Sequence, residues 1–164
     1  MSAGPVRDKV VVFGSLNMDL VARVPRMPQP GETLTGHGFL ANPGGKGANQ
    51  AVACARQGAR VEMVGRVGND GFGAELRAGL ASHGVAGTRV LTTEGASTGV
   101  AMIMVDDGAQ NCIAVIPGAN ASVGIAAGSR GPEAPSLALS GFSRPGFSVS
   151  FGSSFSTARS VRSG

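Results

Sequence analysis

The chain has 164 residues, 42% of them hydrophobic, with seven Phe and no Trp or Tyr, the size and composition of a single folded domain. No apolar run is long enough to span a bilayer and residues 1–9 carry no apolar signal core, so no membrane partner is expected and cytoplasmic location is the default. The formal charge of +4 gathers late, because residues 124–164 hold four arginines against Glu133; the first 123 residues are nearly neutral, and a nucleic-acid partner is not expected.

Val10 to Ser15 (VVVFGS) is a continuous apolar run closed by Gly-Ser, the pattern of a buried strand in a parallel sheet. Asn17-Met18-Asp19 follows at its carboxyl end, where open α/β sheets bind ligands. Leu20 to Val24 predicts a second short strand. Pro25, Pro28 and Pro30-Gly31 predict a stiff turn. Glu32 to Leu40 resumes an extended pattern, with Thr33, Thr35 and His37 on one face and Leu34 on the other. With no helix between them, these two strands are expected to form a hairpin-like flap beside the main sheet.

Asn42 to Ala53 (NPGGKGANQAVA) joins a glycine turn to a small-residue helix that runs to about Arg56, with Gly58 as its stop. Such a turn lets backbone approach a ligand closely and aims first-turn N–H groups outward, toward an anion or a sugar hydroxyl. Lys46 adds a positive charge there and Asn49 a carboxamide. Arg60 to Val67 alternates as a strand. Asp70 is placed to cap a helix whose buried face is Phe72, Leu76 and Leu80, ending near Ser82 and closed by Gly84. Val85 to Leu91 is a further strand. Thr98 to Val105, the turn Asp106-Asp107-Gly108-Ala109 and Gln110 to Ile116 make a β-hairpin. The class is α/β with a side layer of antiparallel strands.

Several apparent motifs fail on chemistry. Gly44-Gly45-Lys46 is not a P-loop, because Gly47 stands where Ser or Thr must follow the lysine and Leu40 where a glycine is required. Gly36 to Ala41 fits a loose dinucleotide fingerprint but opens no helix. His37 and His83 have no partner spacing that suggests catalysis. Asp106 and Asp107 sit in a hairpin turn and read as turn formers. Cys54 and Cys112 lack the spacing of a metal site or a disulfide framework, and Met102 and Met104 read as packing.

From Gly124 the composition changes abruptly. Residues 124–164 contain 11 Ser and 7 Gly, with no lasting helical or strand periodicity, so a disordered segment is expected. It reads either as a flexible terminus or as sequence from another reading frame or alternative exon; the abruptness favours the second.

Gly44 to Gly68 resembles the first signature of the PfkB carbohydrate kinase family along its whole length. Within that family, GSLNMDL at 14–20, PGETLTG at 30–36, GGKGANQA at 44–51 and the hairpin STGVAMIMV to AQNCIAVIPGAN at 97–120 are similar to ribokinases. The resemblance covers residues 9–123. It implies a Rossmann-like ribokinase fold, here incomplete, with a small antiparallel β lid. It also implies ATP-dependent phosphorylation of D-ribose to D-ribose 5-phosphate, with Mg2+ and K+. The substrate-binding residues it implies are Asn17, Met18, Asp19, Gly45, Lys46, Gly47, Ala48 and Asn49. The segments near 20–40 and 97–116 would close over the sugar and clasp a second copy. The family's second signature, a Gly-Ala-Gly-Asp type motif that supplies the catalytic base, is not found in residues 124–164. No catalytic residue is therefore expected in this chain, which should hold the sugar-binding half only and be inactive alone. Two alternatives stay open: a non-catalytic product that dimerises through the lid, and a PfkB kinase for another sugar or a nucleoside.

Overall fold

The computed structural model describes residues 9–123 and the backbone of residues 147–151. The chain runs β1 (Lys9–Phe13), β2 (Asn17–Val24), β3 (Gly38–Gly44), α1 (Lys46–Arg56), β4 (Arg60–Gly68), α2 (Gly71–Ser82), β5 (Ala86–Thr93), β6 (Gly99–Asp106), β7 (Asn111–Ile116), a 3-10 turn (Gly118–Ser122) and β8 (Phe147–Phe151). These form two four-stranded sheets. The main sheet has the order β5-β4-β1-β8 and is parallel throughout. The second has the order β3-β2-β6-β7, in which β2 and β6 are parallel and the outer pairs antiparallel.

The α/β class, the side layer and the order of elements through β7 agree with the sequence pattern. Three local features differ. Strand β2 begins at Asn17, so Asn17, Met18 and Asp19 belong to it rather than to a loop before it. Residues 32–37 are not a strand, because Glu32 is drawn into the proline turn. Its carboxylate pairs with the Arg26 guanidinium and accepts the Gln29 N–H at 2.9 Å, while its own N–H donates to the Gln29 carbonyl at 3.0 Å. The strand therefore starts at Gly38 and continues through Asn42 to Gly44. Within the segment expected to lack strand structure, Phe147–Phe151 lies parallel to β1, pairing Lys9 with Phe147 through Phe13 with Phe151. The alternation Phe-Ser-Val-Ser-Phe has the strand period of two, and β1 offers it an open edge. The rest of that segment, with its expected disorder, lies outside the described residues.

The core sits between the main sheet, α1, α2 and the base of β2. Val12, Leu16, Met18, Ala51, Met63 and Val67 are fully buried, with Leu76 and Leu80 nearly so. Alternate residues of β4 supply Val61, Met63 and Val67, as a strand covered by helices on one face requires. Asp70 caps α2 as its position predicts, accepting the Gly73 N–H at 2.8 Å. The same carboxylate accepts the Thr98 N–H at 2.7 Å and the Thr98 hydroxyl at 2.6 Å, while Thr98 Oγ1 accepts the Gly68 N–H at 3.0 Å. Thr98 is wholly buried, so this network joins the ends of β4 and β6 to the start of α2. Burial raises the Asp70 pKa, but the bonds from Thr98 and Gly73 outweigh it and hold the carboxyl below its usual range. Glu62 ties three strands together through Lys9 at 3.0 Å, Arg89 at 3.1 Å and Thr88 at 3.1 Å. No helix among the described residues is long and apolar enough to cross a membrane.

Candidate functional site

The link Gly14-Ser15-Leu16 leaves the carboxyl end of β1 and turns directly into β2. The start of α1 presses on this link. A Cβ on Gly47 would stand 2.7 Å from the Gly14 carbonyl carbon and 2.8 Å from its Cα. The cap residue Gly45 has φ 93°, and a Cβ there would lie 2.7 Å from both the Ser15 oxygen and the Asn17 nitrogen. Glycine at 45 is thus required twice, by its left-handed backbone and by the approach of the β1–β2 link. The contact is fastened by the Ala48 N–H, which donates to the Ser15 carbonyl at 3.1 Å. The expectation that first-turn N–H groups face outward is corrected at Ala48. The small residues bring helix and link so close that this donor is spent on the chain itself.

Asn17 and Asp19 project from one face of β2, two residues apart. In register beside them stand Gly44 and Asn42 of β3, and Gly99 and Ala101 of β6. The Asp19 carboxylate lies over the Gly44 α-carbon, where a Cβ would be 2.2 Å from Oδ2. Burial raises the Asp19 pKa above the usual carboxylate value. Asn17 Oδ1 accepts an N–H of the Asn120 side chain at 2.8 Å. The next row outward on this face is apolar: Leu40, Val21, Ile103 and Ile113. Lys46 and Asn49 are exposed, three residues apart on the first turn of α1, so they share a helix face.

The other candidates are placed differently. Met18 points to the opposite face of β2 and is fully buried in the core, so its side chain does not join Asn17 and Asp19. Gly47 and Ala48 are buried, and their part is to seat α1 on the link. A groove of about 480 Å3 lies between α1 and α2, bordered by Asn49, Val52, Leu76 and His83. Pro43, which also lines it, is paired with Met18 and so faces away from Asp19.

Sequence reasoning passed over Asn120, which it read only as the end of the hairpin. Asn120 is 7% exposed and bonds both backbone groups of Leu16 across 104 residues of sequence. The only sequence signal is a polar residue straight after Pro117-Gly118-Ala119, and turn chemistry accounts for that equally well.

Residues 7–127 match the pfkB family carbohydrate kinase profile. A ribokinase of Schizosaccharomyces pombe is 48% identical over 120 residues, which is 70% of this chain and 38% of that protein. Among solved structures, a ribokinase of Cryptococcus neoformans in complex with ADP is 37% identical with a TM-score of 0.61, over 68% of this chain and 35% of that one. An Arabidopsis thaliana ribokinase complexed with ribose and ATP is 34% identical with a TM-score of 0.63, over 70% of this chain and 38% of that one. The chain thus spans little more than a third of the length of these relatives.

Proposed function

The chain belongs to the pfkB family of carbohydrate kinases, and from that membership we propose that it carries the sugar-holding part of a ribokinase, an enzyme that phosphorylates D-ribose with ATP to D-ribose 5-phosphate. The observation that carries the reading is the pairing of Asn17 and Asp19 on one sheet face, at the carboxyl end of β1 and beside the seated turn Gly44-Gly45. A polyol needs fixed donors and acceptors, because each buried hydroxyl left unpaired costs about 1–3 kcal/mol. Asp19 supplies a charged acceptor and Asn17 a carboxamide, and charge-assisted bonds are the stronger kind. Lys46 and Asn49, at the start of α1, would add donors from the side, with Gly45 bringing the backbone near. The relatives named above are ribokinases, and the Arabidopsis structure holds ribose and ATP.

Residues 9–123 form the ribokinase-like unit in this reading, with Phe147–Phe151 added along the β1 edge of its main sheet. The described residues hold no group of three or more His, Cys, Asp or Glu that fits a metal ion. Mg2+ and K+ are therefore assigned to no residue here, and no step is written through them. Since residues 124–164 contain no Gly-rich aspartate motif, this chain is expected to bind the sugar and not to turn it over.

A second reading, that the lid sheet seats a second copy, is favoured by the exposed Leu40, Ile113 and Val115 on the Asp19 face. Light scattering of the purified chain tests it: a monomer at the highest practical concentration speaks against it. For the sugar site, the folded chain is titrated with D-ribose by calorimetry. Binding that is weakened about tenfold to a hundredfold in Asp19→Asn supports the reading. No heat from a cooperatively folded wild-type chain, or an unchanged affinity in the variant, sinks it. Ribose-dependent ADP release by the chain alone would overturn the expected lack of turnover.

A further inference from the structure

We propose that Asn120 is a positioning residue that fixes which end of the Asn17 carboxamide faces the ligand, so that Asn17 presents its Nδ2 protons there. The inference rests on the sugar-site reading and deepens it.

The chemistry begins from two backbone groups whose identities admit no choice. The Leu16 N–H can only donate, and it donates to Asn120 Oδ1 at 3.0 Å. The Leu16 carbonyl can only accept, and it accepts from Asn120 Nδ2 at 2.9 Å. Together they set the orientation of the Asn120 amide. Its second N–H then faces Asn17 at 2.8 Å, and the atom presented there has to be an acceptor, Asn17 Oδ1. A carboxamide has one oxygen and one nitrogen on opposite sides of its carbon. With Oδ1 engaged, the two Nδ2 protons of Asn17 turn away from Asn120. The order is thus relayed from the backbone of Leu16 through Asn120 to Asn17.

Burial makes the relay stiff. Asn120 is more than nine-tenths buried, so water does not compete for its amide. Gly99 keeps the space open, since a Cβ there would stand 2.1 Å from Asn120 Nδ2 and 2.4 Å from Asn17 Oδ1. The consequence is a matched pair on one face of β2. Asp19, as carboxylate, accepts, and Asn17 donates. A hydroxyl can satisfy both kinds of group, because it carries a proton and lone pairs. A ligand group that offers only protons, such as an ammonium, meets the Nδ2 protons of Asn17 and is disfavoured at that position.

The test is side-chain amide NMR on the 15N-labelled 164-residue chain, with and without D-ribose. In the sugar-free protein, the Asn120 amide protons are expected to exchange slowly and those of Asn17 quickly. D-ribose should shift the Asn17 signals and leave those of Asn120 nearly still. In Asn120→Asp the carboxylate demands a donor, so the Asn17 amide turns round. Its signals should move in the sugar-free protein, and D-ribose should bind about tenfold to a hundredfold more weakly. Gly99→Ala, which crowds the Asn120–Asn17 bond without changing either partner, should give the same weakening. Unmoved Asn17 signals in a folded Asn120→Asp chain overturn the proposal. Should that variant fail to fold, the wild-type exchange pattern decides, and equally fast exchange at both amides overturns it. A wild-type chain with the expected exchange pattern but no D-ribose binding sinks the sugar reading and leaves the relay standing.

Discussion

Two glycine-to-alanine changes, both in the first turn or so of a helix, should have opposite effects. Gly47→Ala places a Cβ 2.7 Å and 2.8 Å from the Gly14 backbone and 2.8 Å from Met63 Cε. The methionine end can swing aside, but the Gly14 backbone cannot. To restore an ordinary 3.4 Å contact, α1 has to lift from the β1–β2 link by about 0.7 Å. That would stretch the Ala48 N–H bond to Ser15, now 3.1 Å, to roughly 3.8 Å, beyond hydrogen-bond range. Overpacking costs about 1–3 kcal/mol and the lost bond about 0.5–1.5 kcal/mol. The better helix propensity of alanine returns about 0.5–1 kcal/mol. The net expectation is destabilisation by about 0.5–4 kcal/mol, centred on about 2 kcal/mol. Gly71→Ala, at the start of α2, meets no atom within 4 Å and should be neutral or stabilising by about 0.5 kcal/mol. Urea unfolding at neutral pH, read by circular dichroism, gives both midpoints. Equal shifts for the two variants would refute the claim that close approach of helix and link, rather than helix propensity, decides the choice of glycine at 47.

Asp70→Ala should cost about 2–4 kcal/mol, as it removes a helix cap and strands the buried Thr98 groups; the same urea assay measures it. Because the folded pKa of Asp70 lies below its unfolded value near 3.8, its contribution is fully present above that value and is lost as pH falls through the folded one. Wild type should therefore lose stability more steeply than Asp70→Asn below pH 3.8, and parallel curves would count against the network. Glu32, paired with the Arg26 guanidinium and holding the Gln29 N–H, should titrate at about 2 by carbon-detected NMR. In Arg26→Gln its midpoint should climb toward the ordinary 4.5, and a midpoint unmoved by the substitution would contradict the pairing. The raised pKa of Asp19 predicts that D-ribose affinity falls with pH earlier than for an ordinary aspartate, since only the ionised carboxyl is a pure acceptor. Calorimetry from about pH 7 down to about pH 4 follows that loss, and a flat profile argues against an accepting role.

Much of this protein is decided locally. Apolar runs, Gly stops and the Asp70 cap mark β1, both helices and the β6–β7 hairpin, because period, capping and turn chemistry act between near neighbours. The long signature from Gly44 to Gly68 carries the family in the same way, and its Gly44, Gly45 and Gly47 allow the close approach to Asp19 and to the β1–β2 link. Boundaries set by neighbouring strands or by a particular side-chain pairing are less legible. Asn17 to Asp19 join β2 because β3 and β6 pair with them from both sides, and Glu32 leaves its expected strand because Arg26 and Gln29 claim its carboxylate. The sequence also presents Asn17, Met18 and Asp19 as one run. Only the sheet separates them, sending Met18 into the core and leaving two polar side chains on the other face. Asn120 shows the same limit most sharply: its partners are 104 and 103 residues away, and no local pattern records a hydrogen bond that folding alone brings together.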